Sequence, residues 1–263
     1  SHGGWEEIDK SINDLKVALK FKPRAFEGKI RYETAGKITR KVNFPVPQTT
    51  DSTFVAIIAL ELLNVLDEGV MELSFFNEKA TYIVGGNIKE VPFNGAGGKV
   101  SLCQDGEITF LQGEPAKTGI KGTLIFPQRF LSIGDSWENS MTMELPCFAD
   151  PLDFIVRSTL EKFELYGEEK ICAVINNILY PIEETKAGKF QGKEIIYFDY
   201  ELGRMIKSIL KMRIVSNIFG ITFDLQVNTT NIWNYIFDFM REGNFSGMGE
   251  KVHEQLNEEL IYI

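Results

Sequence analysis

Phe54-Val55-Ala56-Ile57-Ile58-Ala59-Leu60-Glu61-Leu62-Leu63-Asn64-Val65-Leu66 is an apolar run whose single charge is Glu61. How it folds decides the architecture. Asp51 or Ser52 is placed to accept the first free backbone N–H groups of a helix, and Gly69 stands just past its end. The run is therefore expected to form a helix of roughly 20 Å, too short for a bilayer's hydrocarbon core. A helix apolar on every side must be covered on every side. It would either plug the core of a curved sheet or lie as a lid over a cavity that holds an apolar ligand. Its β-branched content leaves a third reading, a strand buried on both faces.

Outside this run the chain is punctuated at strand-length intervals. Asp105-Gly106 separates Lys99–Cys103 from Glu107–Leu111, a strong hairpin signal because both positions tolerate positive φ. Ala35-Gly36, between 29–34 and 37–44, reads as another hairpin tip. Gly167 divides 154–165 from 170–179, and Gly203 divides 194–200 from 204–210 with its glycine in the left-handed position. Phe223, Leu225 and Val227 alternate with Asp224, Gln226 and Asn228, as in a half-buried strand. With few helical crossovers between these runs, the strands are antiparallel. The expected fold is mainly β (α+β), a strongly curved antiparallel sheet or half-open barrel with one apolar helix on its concave face.

The spacing of these turns suggests a single β-rich domain over 15–263, built from two related halves at 15–125 and 138–240. The segment 126–137 would be the corner that joins them. Ser1-His2-Gly3-Gly4 reads as the remnant of a tag, so 1–14 is set aside as a leader. Val252, Leu256 and Leu260 recur every four residues among glutamates, the pattern of a modest amphipathic helix. The run 231–240 suits strand and helix equally.

Composition narrows the chemistry. The 263 residues are 44% hydrophobic and 25% charged, ordinary values for a globular chain with a full core. A net charge of -9, with no basic cluster, argues against nucleic-acid binding and against a basic membrane-docking patch. Only His2 and His253 are present, and Cys103, Cys147 and Cys172 contain no Cys-x-x-Cys pair. A zinc site, another metal centre or an activated cysteine is not expected, and no cofactor is implied. The cysteines read as buried apolar residues, with a Cys147–Cys172 disulfide as the alternative. Gly95–Gly98 and Gly243–Gly249 lack the Lys-Ser/Thr ending of a phosphate loop and read as turns. The acidic pairs Asp150 and Asp153, Glu183 and Glu184, and Asp199 and Glu201 would serve a glycosidase only if held across a cleft. The sequons at Asn228 and Asn244 matter only in a glycosylating host.

Phe126-Pro127 followed by Leu131, Ile133 and Gly134-Asp135-Ser136-Trp137 is the most distinctive stretch. Pro127 ends one extended segment, Gly134-Asp135 turns, and Trp137 opens the next strand with its ring inward. This FPQRFLSIGDSW run resembles the Phe-Pro … Gly-Asp-Ser-Trp signature of poorly characterised exported or lipoprotein-type bacterial proteins. The later GKEIIYFDYELGRMIKS is similar to their Tyr/Phe-Asp-Tyr-Glu-x-Gly-Arg element. A looser likeness, of architecture alone, is to lipoprotein carriers that hold acyl chains under a helical lid. The resemblance implies an exported protein, in the periplasm, at the cell surface or outside the cell.

The leading expectation is therefore non-catalytic binding of a hydrophobic small molecule or lipid, lined by Phe54, Ile58, Leu62, Phe126, Trp137 and Trp233. The competing class is a structural module of the cell envelope, with a solid core, that meets an envelope protein. A carboxylate-dependent hydrolase is the third.

Overall fold

The computed structural model describes residues 12–90, 95–112, 120–121, 124–143, 151–166, 170–183, 188–218 and 220–233. Among the described residues thirteen strands form one antiparallel sheet. They are β1 (Lys29–Val42), β2 (Gln48–Val65), β3 (Met71–Val84), β4 (Asn87–Glu90), β5 (Gly97–Leu102), β6 (Ile108–Gln112), β7 (Ile120–Lys121), β8 (Ser136–Met143), β9 (Leu152–Tyr166), β10 (Lys170–Pro181), β11 (Lys189–Asp199), β12 (Arg204–Ile218) and β13 (Ile221–Trp233). Their order is β6-β5-β3-β2-β1-β13-β12-β11-β10-β9-β8-β7, with β4 paired to β3. The two ends of this order do not pair with each other, so the sheet is not closed into a barrel.

The expected helix is instead the heart of β2, and the lid expectation falls with it. The pleat divides its residues between two faces. Phe54, Ala56, Ile58 and Leu60 stand opposite Gly36, Thr34, Tyr32 and Ile30 of β1, while Val55, Ile57 and Ala59 project from the other face. A strand between two neighbours with both faces half-covered needs apolar residues at successive positions, so its run cannot be told from a helix by periodicity. Ala35-Gly36 is likewise no hairpin tip: both lie inside β1, where Gly36 pairs with Phe54 on one side and Thr229 on the other. A Cβ at Gly36 would collide with the Phe54 ring, so this glycine makes room for an aromatic on the adjacent strand.

The other turns fall where expected. Gly106 has φ +103° between β5 and β6, and Gly203 has φ +86° between β11 and β12. β9 and β10 pair across the Gly167 turn, whose own residues lie outside those described. The regions 1–11 and 234–263, with Cys147, Asp150, Glu184 and the proposed C-terminal helix, lie outside them too.

The sheet is filled by a segment whose role its sequence understates. Val17, Leu19 and Phe21 are buried and alternate with charged or less buried residues, and Ala25 and Phe26 follow in a short 3-10 turn. These side chains share one core with Met71 and Leu73 of β3, Val100 and Leu102 of β5, Leu160 and Phe163 of β9, and Ile196 and Phe198 of β11. Eight steps in the strand order separate β5 from β9, about 38 Å if the sheet were flat. They contribute to one core because the sheet curls around residues 17–26. Backbone bonds fasten this strap on several sides. The Phe21 N–H donates to Gln104 O (2.8 Å), the Lys22 N–H to Gly203 O (3.0 Å), and Val17 and Leu131 exchange a pair. The Phe21 ring meets Phe198 edge-on at 5.2 Å and Phe126 at 5.6 Å.

The corner at 126–137 behaves as its residues imply. The Ser132 N–H donates to the Asp135 carboxylate (2.9 Å), and Gly134 takes φ +93°. Gly134 and Asp135 then bond to the backbone of Leu160.

Phe21 is the point where the β5–β6 turn, the 126–137 corner and β11 meet the strap. Phe21→Ala is expected to lower stability by about 3–5 kcal/mol, the usual cost of an aromatic-sized core deletion, read from urea unfolding followed by tryptophan fluorescence.

Candidate functional site

The six residues expected to line a site separate into two groups. Phe126 (3% exposed) and Trp137 (9%) lie inside the strap core, with Leu62 packed against it. The Trp137 Nε1–H donates to Ile125 O at 2.7 Å, which satisfies its one polar atom without a ligand. Phe54 and Ile58 instead stand half-buried on the inner face of β2, away from that core, and the Phe54 ring lies 5.9 Å from Tyr82. The backbone of Trp233 pairs with Tyr32, but its side chain lies outside the described residues.

Around Phe54 the inner face is apolar and only partly covered. Gly36 opposite it is flanked along β1 by Ile38, which pairs with Val227 of β13. Val227 and Leu225 in turn pack against a second buried cluster, built from Met141, Phe154, Val156, Leu179, Met212 and Ile214 among others. Ile38, Phe54, Leu225 and Val227 are all half-buried. Adjoining that cluster, they make a half-covered apolar strip on the inner face, the trough.

A polar row that sequence reasoning missed runs between the two cores. Asn177 of β10 stands directly opposite Ser158 of β9 and Glu194 of β11, so the three project from one face. One flanking row is Leu160, Ile175 and Ile196, and the other is Val156, Leu179 and Gly192. Ser158 and Asn177 are completely buried and Glu194 is 7% exposed. The Ser158 Oγ and both polar atoms of the Asn177 amide close no hydrogen bond of ordinary geometry. Burial pushes the Glu194 carboxyl up to about 7, and the Asn177 amide leaning toward it only partly opposes this. The available sequence signal was Ser158, Asn177 and Glu194 each at an inward position of an otherwise apolar strand. Seeing them as one row requires the register, which no turn residue specified.

Of the acidic pairs, Asp199 and Glu201 are the one described in full, and they do not face each other across a cleft. Asp199 is buried at the end of β11, where its Oδ1 accepts the Leu202 N–H at 2.9 Å and caps the turn. Glu201 is exposed in that turn, and its backbone oxygen accepts from the Lys22 and Arg24 side chains. Asp153 accepts from the Thr142 hydroxyl at 2.7 Å on the exposed face of β9. Asp150 and Glu184 lie outside the described residues.

Cys172 is a fully buried free thiol, pushed up to about 12 by burial and then by Asp199 and Glu164, so it is inert. At the β5–β6 turn, ligand atoms of Cys103, Asp105 and Glu107 lie within 4.8 Å of one another. There an Asp105 oxygen already accepts the Glu107 N–H at 3.0 Å. Burial and the Asp105, Glu107 and Glu68 carboxylates raise the Cys103 thiol, leaving it protonated at neutral pH rather than nucleophilic.

No family model matches the chain, and no curated protein matches it. Among solved structures it is similar to the crystal structure of the hypothetical lipoprotein YmcC from Escherichia coli (K12). That likeness has 13% identity and a TM-score of 0.28, over 83% of this chain and 87% of that one. A likeness of that size supports no inference about function.

Glu194 makes stability depend on pH with a defined sign. Between about pH 4.5 and 7 the native carboxyl holds its proton while the unfolded one has lost it, so stability falls as pH rises through that window. Glu33, buried on the opposite face of β1 and pushed up to about 7 by burial against the opposing Lys79, acts in the same direction. Glu194→Gln is expected to match the wild type near pH 4.5 and to exceed it by about 3 kcal/mol at pH 8, measured by urea unfolding across pH.

Proposed function

We propose that this chain is a non-catalytic binding module that acts outside the cytoplasm and holds an amphipathic, lipid-like ligand on the inner face of its sheet. The observation that supports this is the half-buried apolar trough of Ile38, Phe54, Leu225 and Val227 running into a buried cluster. Apolar surface left partly open beside a covered core gains roughly 25 cal/mol per Å² when a ligand completes the cover. The lining has shifted from the sequence expectation: Phe54 remains, whereas Phe126, Trp137 and Leu62 belong to the strap core. The extracytoplasmic placement rests on the Phe-Pro … Gly-Asp-Ser-Trp resemblance.

A structural module that meets an envelope protein is the second reading. It is favoured by the strap core, where residues 17–26 already occupy the hollow that a carrier's ligand would fill.

The neutral apolar reporter N-phenyl-1-naphthylamine distinguishes these readings. Saturable binding to the full chain is expected, weakened about ten-fold or more in Phe54→Asp because a carboxylate in the trough repels an apolar occupant. Circular dichroism should show the variant folded, since Phe54 is only half-buried. Absence of saturable binding, or equal affinity in the folded variant, would leave the structural reading in its place.

A further inference from the structure

The trough and the buried polar row belong to one line across the sheet. From Asn177 the paired residues run through Glu194, Leu210, Thr229 and Gly36 to Phe54. Cover thins along it: Asn177 is 0% exposed, Glu194 7% and Leu210 5%, whereas Thr229 and Phe54 are half-buried. The five strand spacings between Asn177 and Phe54 amount to about 24 Å, a span that a long acyl chain covers.

A group reaching the deep end would meet unsatisfied hydrogen-bonding capacity of both kinds. The Asn177 amide offers two donor hydrogens and an acceptor oxygen, and the Ser158 hydroxyl offers one donor and an acceptor. A buried polar group without a partner costs about 1–3 kcal/mol, so the Ser158 hydroxyl and the Asn177 oxygen, beside an amide nitrogen whose neighbour is the Glu194 carboxyl, are an expensive arrangement for core alone. No lysine or arginine stands on either flanking row, from Leu160 through Ile175 and Ile196 to Ser208, or from Val156 through Leu179 and Gly192 to Met212. An anionic head would arrive without a countercharge and beside a carboxyl. The row suits an uncharged group that both donates and accepts.

We propose that Ser158, Asn177 and Glu194 form a head-group subsite for an uncharged hydroxyl- or amide-bearing group, at the polar end of an amphipathic ligand whose chain lies along the Phe54 trough. This rests on the binding function proposed above and adds the chemical class of the ligand. Ser158 and Asn177 supply the hydrogen bonds. Glu194, pushed up to about 7 by burial, is about half protonated at pH 7 and joins them as donor when protonated and as acceptor in either form.

The test uses the full chain at pH 7 and two probes with the same oleoyl chain, 1-monooleoylglycerol and oleate, each displacing N-phenyl-1-naphthylamine. Monooleoylglycerol is expected to bind at least about ten-fold more tightly, the worth of one or two hydrogen bonds. Ser158→Ala and Asn177→Leu should each reduce that preference to within about two-fold while leaving the affinity for the dye unchanged. Ser158→Ala removes only one oxygen and keeps the test decisive should Asn177→Leu fail to fold. Dye binding with equal or reversed probe preference overturns the subsite and leaves the trough intact. A ten-fold preference that survives both substitutions overturns the assignment to these residues. No binding of dye or either probe overturns both this inference and the function on which it rests.

Discussion

The structure depends on the threading of residues 17–26 through a sheet that would otherwise have no interior. A single antiparallel sheet has two faces and no second layer to bury either of them. Here the strap supplies that layer. Phe21 lies between Phe126 of the corner and Phe198 of β11, and its N–H is held by the turn between β5 and β6. Strands from distant places in the order share one core with this segment. The turns that fasten it are tight: a Cβ on Gly106 would collide with the Leu124 carbonyl, and one on Gly203 with Lys22.

With the strap in place, the rest of the inner face divides according to what covers it. Near the strap the core is closed. Farther along the same strands a second cluster is covered on the β8–β12 side and thins toward β13, β1 and β2. Between them lies the Ser158–Asn177–Glu194 row, flanked by apolar rows that give it no partner. Unpaired groups at such depth weaken a fold unless something satisfies them, which is why the row and the open trough are read together as one site.

Much of the β architecture was legible in short-range chemistry. Asp105-Gly106 and Gly203 stand at turns that need positive φ, and the alternation from Phe223 to Asn228 is the pleat of a half-buried strand. Two readings failed for one reason. Gly36 and the Phe54–Leu66 run both took their apparent meaning from their own neighbours, whereas their real meaning comes from adjacent strands. Gly36 is small because the Phe54 ring lies over it, and the run is continuously apolar because both faces of β2 are covered in part. The strap had a readable pattern in Val17, Leu19 and Phe21 among lysines, but alternation alone does not say that an extended segment will lie inside a sheet rather than in it.

The candidate site was less legible than the fold. Of the residues expected to line it, Phe54 and Ile58 stand half-buried on β2, while Phe126 and Trp137 are held in the strap core by the same apolarity that singled them out. The sequence by itself determined the antiparallel sheet, its principal turns, and the shortage of histidine and paired thiols for metal or nucleophilic chemistry. These follow from local backbone preference and from which side chains exist at all. Tertiary structure alone decided that β2 is a strand, that residues 17–26 fill the curl, and that Ser158, Asn177 and Glu194 stand side by side. Each of these is a matter of register between strands far apart in the chain, and burial on both faces erases the periodicity from which register could have been read.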